Sequence, residues 1–168
     1  MKKFLSAILG AAILSGSVCS AAIPQSQLVL GGVEYGASIS DVEKNLGQPE
    51  KSKTKTDKKH HAENYHGEKI KYKYGDLEIE FVNGKVYEIE VEDLSDAKTA
   101  AGIGIGADVS ALEKAYGKAD FIHEDKYIYC TEENKNLGLV FEIKNGQVHE
   151  IKCGVLKGRA KYESNFRS

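Results

Sequence analysis

The sequence lacks several features on which common classes of function depend. After residue 22, no apolar run approaches the roughly 20 residues that a membrane-spanning helix needs. No Gly-rich phosphate loop, nucleophile elbow or paired-carboxylate pocket is recognisable. The 23 basic and 25 acidic residues give a formal net charge of −2, so the chain has no general attraction for nucleic acid. The sequence therefore predicts no catalytic residues, no cofactor and no nucleic-acid partner.

The first 22 residues have the organisation of a secretory signal peptide. Lys2 and Lys3 form a basic start, residues 4–14 are an apolar run, and small residues precede the predicted cleavage site after Ala22. We therefore expect export to the periplasm or the extracellular space, with no transmembrane segment after cleavage. Acylation of Cys19, as in a lipoprotein, is the alternative and would keep the protein at the envelope.

The rest of the chain contains an internal repeat. Residues 36–50 (GASISDVEKNLGQPE) align without gaps with residues 106–120 (GADVSALEKAYGKAD). Apolar residues at positions i, i+3 and i+7 predict a two-turn helix in each copy. Ser38 is a good N-cap, and Gly47 and Gly117 supply the residues that end the two helices.

Each helix is followed by a predicted meander of three antiparallel strands. Residues 69–74 and 126–130 are strands marked by tyrosines, and residues 77–91 and 137–153 are hairpins with Asn-Gly at the bend. The lysine- and threonine-rich run that begins at Lys51 is predicted to be a mobile loop.

The predicted fold class is α+β, with two tandem units, each a short helix packed on a three- to four-stranded antiparallel sheet. The first unit spans residues 28–93, the second spans residues 101–157, and residues 158–168 form a C-terminal tail. Short fourth strands are expected near residues 29–33 and 102–105. A unit of about 60 residues buries little of its surface alone, so the two units are expected to pack together.

Alternation in the first hairpin separates an apolar face from a charged face. Tyr87 is predicted on the apolar face, while Glu78 and Glu88 are predicted on the charged face. The charged face is typical either of a solvated surface held by cross-strand ion pairs or of a docking face for a charged partner. Tyrosine is common in interfaces and in cores. The candidate partner contacts are Tyr72, Tyr74, Tyr127, Tyr129, Glu78 and Glu88.

One cluster of residues has the composition of a metal site. It contains His60, His61, Glu63 and His66 but no cysteine and no recognised zinc spacing. A solvated loop that responds to pH is the favoured interpretation, and metal binding is the alternative.

Cys130 and Cys153 are the only cysteines after residue 22. Export favours a disulfide between them. Strand alternation instead places their side chains on opposite faces of the second meander, with backbones about two strand spacings (~9.6 Å) apart. The sequence leaves a disulfide and two free thiols as open alternatives.

The pattern G-x-S-x-x-D-V … L-G-x-P, followed by tyrosine strands and an F-x-N-G-x-V hairpin, resembles two families. They are the outer-membrane assembly lipoproteins of the small-protein-A type and the β-lactamase inhibitory proteins, which are tandems of such units. The matching residues of the first copy are Gly36, Ser38, Asp41, Val42, Leu46, Gly47, Pro49, Phe81, Asn83, Gly84 and Val86. Those of the second copy are Gly106, Asp108, Val109, Gly117, Asn145, Gly146 and Val148, with Ala119 in place of the proline. The resemblance implies a fold rather than a function, because these positions are caps, turns and core.

The functional prediction is an exported, non-enzymatic protein of the bacterial cell envelope that acts by protein–protein contact. Its partner is an unidentified envelope or extracellular protein. A secreted inhibitor of an extracellular hydrolase is one alternative, and a metal-binding module that uses the histidine loop is another.

Overall fold

Strands make up most of the regular secondary structure. The computed structural model describes residues 22–57, 67–92 and 95–157, which form ten strands and two α-helices. The strands are β1 (Val29–Leu30), β2 (Val33–Glu34), β3 (Lys51–Asp57), β4 (Gly67–Tyr74), β5 (Leu77–Val82), β6 (Lys85–Glu92), β7 (Phe121–His123), β8 (Lys126–Cys130), β9 (Leu137–Lys144) and β10 (Gln147–Val155). The helices are α1 (Ile39–Leu46) and α2 (Val109–Tyr116). In the described ranges, neither helix has the length and apolar character that crossing a bilayer requires.

Eight of the strands form one antiparallel sheet in the order β3-β4-β5-β6-β10-β9-β8-β7. The pairing of β6 with β10 lies at its centre, where Val91 is opposite Ile151 and Ile89 is opposite Cys153. The order of strands therefore runs outward from this pair in the same way on both sides. β1 and β2 pair separately as a two-stranded sheet.

The fold class predicted from the sequence is wrong. The protein is mostly β and is not two tandem helix-on-sheet units, because β6 and β10 hydrogen-bond to each other and merge the strands of both halves into one sheet. Side-chain alternation specifies which face of a strand is buried, but it does not specify which strand pairs with a free edge.

The two helices and the two Asn-Gly hairpins form where the sequence predicts them. Gly47 and Gly117 follow the helices with φ angles of 82° and 76°. Asn83 and Asn145 have φ angles of 50° and 52°, as a two-residue hairpin turn requires. The Ser38 side chain accepts a hydrogen bond from the third residue of α1, which completes a capping box.

The same backbone contacts connect each helix start to its hairpin. The Gly36 amide donates to the Val86 carbonyl over 2.9 Å, and the Gly106 amide donates to the Val148 carbonyl over 2.8 Å. Each helix is therefore positioned by the hairpin that follows it in the chain.

The lysine- and threonine-rich run is not a loop over its first seven residues. Lys51–Asp57 form β3, an edge strand in which Lys51 lies opposite Lys73 and Thr54 lies opposite Ile70. The run has no apolar residue, so hydrophobic periodicity gave no strand signal. Pairing with β4 determines its conformation.

The short fourth strands predicted before each helix are absent from the eight-stranded sheet. Residues 29–33 contribute to β1 and β2, which pair with each other, and Leu30 also forms a single bridge with Thr99. In residues 102–105 the structure has a single bridge, between Lys98 and Gly104. The fourth strand of each half follows its helix instead, as β3 and β7.

A β-bulge in each hairpin moves one residue away from its predicted face. Val86, which is 2% exposed, takes the core position, and Tyr87 is the extra residue of the bulge. The prediction that Tyr87 points into the core is therefore wrong. His149 occupies the equivalent bulge of the second hairpin.

The core lies between one face of the eight-stranded sheet and a layer formed by the two helices and the N-terminal segment. The sheet supplies most of its large aromatic and branched side chains. The opposing layer supplies Val42 from α1, Leu112 and Tyr116 from α2, and Ile23, Leu28, Leu30 and Val33 from the N-terminal segment. Its largest fully buried members are Leu28, Leu30, Val42, Ile79, Phe81, Ile89, Leu112, Tyr129, Leu139, Phe141 and Ile151.

A glycine allows β10 to pass the bulge of β6. A Cβ atom on Gly154 would lie 2.4 Å from the Tyr87 carbonyl oxygen, and the φ angle of Gly154 is 129°. We expect Gly154→Ala to lower the free energy of unfolding by about 2–3 kcal/mol, measured by urea denaturation. Gly32→Ala is the control, because Gly32 also has a positive φ but open space around it. Equal losses in the two variants would contradict a steric role for Gly154.

Candidate functional site

The candidate functional site is the outer face, defined as the face of the eight-stranded sheet opposite the helices. Its charges follow the strands. β4 presents Lys69, Lys71 and Lys73, and the next two strands present five glutamates. These glutamates, called the glutamate stripe below, are Glu78 and Glu80 on β5 and Glu88, Glu90 and Glu92 on β6.

The glutamate stripe places like charges directly opposite each other. Glu78 lies opposite Glu90, and Glu80 lies opposite Glu88. Directly opposed like charges destabilise a sheet. Glu80 is only 9% exposed, so water screens its repulsion from Glu88 poorly.

Lysines from neighbouring segments partly neutralise the stripe. Lys69 Nζ lies 2.8 Å from Glu80 Oε1. Lys157 Nζ lies 2.8 Å from Glu88 Oε1 and 3.3 Å from Glu80 Oε1, and it also sits 5.7 Å from the centre of the Tyr87 ring. Residue 157 therefore joins the end of the described chain to the middle of the outer face.

A second lysine bridges the two halves of the sheet. Lys152 Nζ lies 3.0 Å from Glu90 Oε1 and 2.7 Å from Glu150 Oε1. The carboxylate oxygens of Glu90, Glu92 and Glu150 lie within 4.8 Å of one another. Lys152 thus provides positive charge at the point where β6 and β10 bring three carboxylates together.

The environment shifts the pKa values of the stripe in both directions. Burial raises the pKa of Glu88, and the ion pair with Lys157 opposes that shift. Burial, followed by repulsion from Glu150 and Glu90, also raises the pKa of Glu92. The hydrogen bond from Lys71 lowers the pKa of Glu78. Positive charge is therefore in excess near β4 and in deficit near the end of β6.

The outer face of the second half is more apolar. Leu156 folds back over β8 and β9 and forms a small buried cluster with Ile128 and Cys130. A cavity of about 200 Å³ lies beside it, with the paired glycines Gly138 and Gly154 in its wall. Its polar lining consists of Glu88, Lys126, Lys152 and Lys157. Each of these lysines is already paired with a glutamate.

The predicted contact residues separate into two groups. Glu78 and Glu88 lie on the outer face. Of the tyrosines, Tyr129 belongs to the core, and the half-buried Tyr72, Tyr74 and Tyr127 pack against it. The Tyr74 and Tyr129 hydroxyls donate to the carbonyls of Gly47 and Gly117, over 3.0 and 3.1 Å, and so attach the helix ends to the sheet. The Tyr72 hydroxyl donates to Glu43 Oε1 over 2.9 Å, and Tyr127 packs against the core from the side of β8.

Cys130 and Cys153 do not form a disulfide with each other. Cys130 belongs to the small outer-face cluster, and Cys153 belongs to the main core on the other face. β9 lies between their strands. Burial raises the pKa of the Cys153 thiol, which disfavours the reactive thiolate.

The predicted metal cluster lies outside the described residues. Its residues are His60, His61, Glu63 and His66. The predicted signal peptide up to residue 21 and the tail at residues 158–168 also lie outside the described residues. The metal-binding interpretation stays a prediction.

The sequence interpretation missed the role of Lys157 and the opposed glutamates. The glutamate pairs had a signal: two E-x-E segments flank an Asn-Gly turn, and a short turn fixes the register of its strands. Lys157 had none, because its contacts depend on how the chain turns after β10.

Comparison with protein-family models, with curated proteins and with solved structures gives no match. The resemblance to the two families therefore rests on the helix, turn and hairpin motifs alone.

The tyrosine contacts predict a difference between two similar substitutions. Tyr129→Phe removes the hydroxyl that donates to Gly117, and it leaves the Gly117 carbonyl without this partner. We expect a loss of about 1–2 kcal/mol in the free energy of unfolding. Tyr127→Phe is the matched control, because the Tyr127 hydroxyl makes no hydrogen bond to any described residue. Urea denaturation measures both, and an equal effect would exclude a special role for Tyr129.

The ion pairs of Glu142 predict a loss of stability in acid. Hydrogen bonds from Lys126 and Lys144, at 2.6 and 3.0 Å, lower the pKa of Glu142 from 4.5 to about 2. The stabilisation is present above pH 4.5 and is lost as the pH falls toward 2, because the unfolded chain then binds the proton first. We expect wild type to lose more stability than Glu142→Gln between pH 4.5 and 2, measured by urea denaturation. Glu132→Gln, at an exposed site, should follow wild type.

Proposed function

We propose that this protein is an exported, non-enzymatic binding protein of the bacterial cell envelope, and that its partner protein docks on the glutamate stripe. The proposal rests on one observation, the directly opposed glutamates on a sheet face that no described helix covers. Local arrangements that cost stability are expected at functional sites, where selection favours binding over stability.

The charge of the stripe defines the partner surface. Lysine or arginine side chains of a partner would lie beside these carboxylates and reduce the repulsion that the lysines of this chain offset only in part. Lys157 already lies between Glu80 and Glu88. Arginine suits this role because its planar guanidinium group can bridge two carboxylates. Complementary charge of this kind gives specificity and a fast association rate, both of which weaken as salt increases.

The position of the stripe within the sheet suits a stable partner surface. Its strands β5 and β6 lie in the interior of the eight-stranded order and are hydrogen-bonded on both sides. Their inner faces carry Ile79, Phe81 and Ile89, each fully buried. The carboxylates are therefore held by a rigid support and need little ordering when a partner binds.

Site-specific photo-crosslinking tests the proposed docking face. A photoreactive residue replaces Glu78 or Glu90 on the stripe, or Glu132 as an exposed control. We expect adducts with an envelope protein from positions 78 and 90 but not from position 132. An adduct with an extracellular hydrolase would favour the inhibitor function instead. Identical adducts from all three positions, or none, would contradict docking on the stripe.

A single neutral substitution separates binding from stability. Glu92 is exposed at the end of the stripe, but partial desolvation, followed by repulsion from Glu150 and Glu90, raises the pKa of its carboxyl group and so disfavours its charge. We expect Glu92→Gln to retain or slightly increase the free energy of unfolding and to weaken capture of the crosslinked partner. Glu132→Gln is the matched control and should change neither. If Glu92→Gln captures the partner as well as wild type does, Glu92 is not part of the binding site.

A further inference from the structure

The edge strand β3 exposes side chains on both of its faces. All five residues from Lys51 to Lys55 are exposed. The lysines lie on the outer face, and Ser52 and Thr54 alternate with them on the opposite face. β3 pairs with β4 on one side and is the first strand of the sheet order, so its other edge pairs with no described strand. Its backbone amide and carbonyl groups on that edge are open to a further strand.

The lysines of β3 differ from those of β4 in their partners. The β4 lysines form ion pairs with Glu78 and Glu80. Lys51, Lys53 and Lys55 make no ion pair within the described part of the chain. They lie opposite Lys73, Lys71 and Lys69. Three cations at intervals of about 6.8 Å therefore line an open strand edge.

The arrangement of charges restricts the kind of partner that can bind there. A second copy of β3 would place lysine beside lysine, so pairing of this edge with itself is disfavoured. A broad anionic surface would meet the glutamate stripe, which lies only two strands away from β3. A narrow ligand that follows the edge avoids those glutamates.

We propose that β3 binds an extended acidic segment of another protein, which adds to the sheet as a ninth strand. Carboxylates at alternate positions of the segment would face Lys51, Lys53 and Lys55, and its other side chains would lie beside Ser52 and Thr54. Backbone hydrogen bonds provide the general affinity, and the alternation of charge provides the selectivity. This site is separate from the glutamate stripe and does not depend on the function proposed for it.

Edge lysines also protect sheets from aggregation, and this protective role is the competing explanation. The two explanations differ in whether an added strand is attracted or repelled. They are separated by a peptide that has the predicted charge pattern.

The test uses a nine-residue peptide that alternates threonine and glutamate, with binding to the full chain followed by fluorescence anisotropy. Two versions carry N-methyl groups on alternate amides, one on each edge of the peptide. A strand added to β3 uses the amides of one edge only, so one version should lose binding and the other should retain it. A fourth peptide, with its glutamates consecutive, tests whether alternation matters.

Two sets of protein variants locate the site. In the first, Lys51, Lys53 and Lys55 are all replaced by glutamate; in the second, the exposed lysines Lys44, Lys98 and Lys135 are replaced in the same way. Both sets change the net charge equally. We expect the first to bind the alternating peptide about tenfold more weakly or worse, since three exposed ion pairs are lost, and the second to bind like wild type. Circular dichroism confirms that each variant is folded, and a triple replacement by glutamine repeats the test without adding repulsion.

Three results would overturn the proposal. The first is no binding of the alternating peptide together with aggregation of the glutamine variant, which would assign β3 a protective role only. The second is equal binding of both N-methylated peptides, which would indicate charge attraction without an added strand. The third is equally tight binding of heparin or of phosphatidylglycerol vesicles that competes with the peptide, which would indicate a general polyanion site.

Discussion

The structure depends on the hydrogen bonding of β6 to β10. This pairing places Val91 beside Ile151 and Ile89 beside Cys153, so the apolar residues of both halves form one continuous inner surface. A half of about 60 residues would otherwise expose the edge of its last strand and part of its apolar face. The pairing also brings Glu90 and Glu92 beside Lys152 and Glu150, so the same contact that completes the core creates a group of four charges on the outer face.

The local elements could be predicted from the sequence, and their assembly could not. Capping residues, helix-ending glycines and Asn-Gly turns act over a few residues, so α1, α2 and both hairpins were found. The bulge at Tyr87 was also within reach: an Asn83-Gly84 turn puts Phe81 opposite Val86, and alternation on both strands then needs one extra residue. The joining of β6 to β10 had no comparable signal, because a free strand edge is similar for every possible partner. β3 was missed because a strand without apolar residues has no hydrophobic period.

In the candidate site, too, local features could be predicted from the sequence and features that depend on assembly could not. Glu78 and Glu88 were assigned correctly to the charged face, since period-two alternation determines the side of a strand on which a residue lies. The tyrosines were ambiguous because an amphipathic ring suits both an interface and a core, and only the position of the helix ends shows that Tyr129 donates to Gly117. The exposed lysines of β3 indicate a binding edge only when the run is known to be a strand, which the sequence did not predict.

Lys157 has a practical consequence for anyone who handles this protein. Its ammonium group lies between Glu80 and Glu88, so a label that reacts with lysine amines would remove the cation that these two carboxylates share. Such a label would change the charge of the outer face on which it was meant to report. Labels directed at other side chains are therefore better suited to binding measurements on this protein.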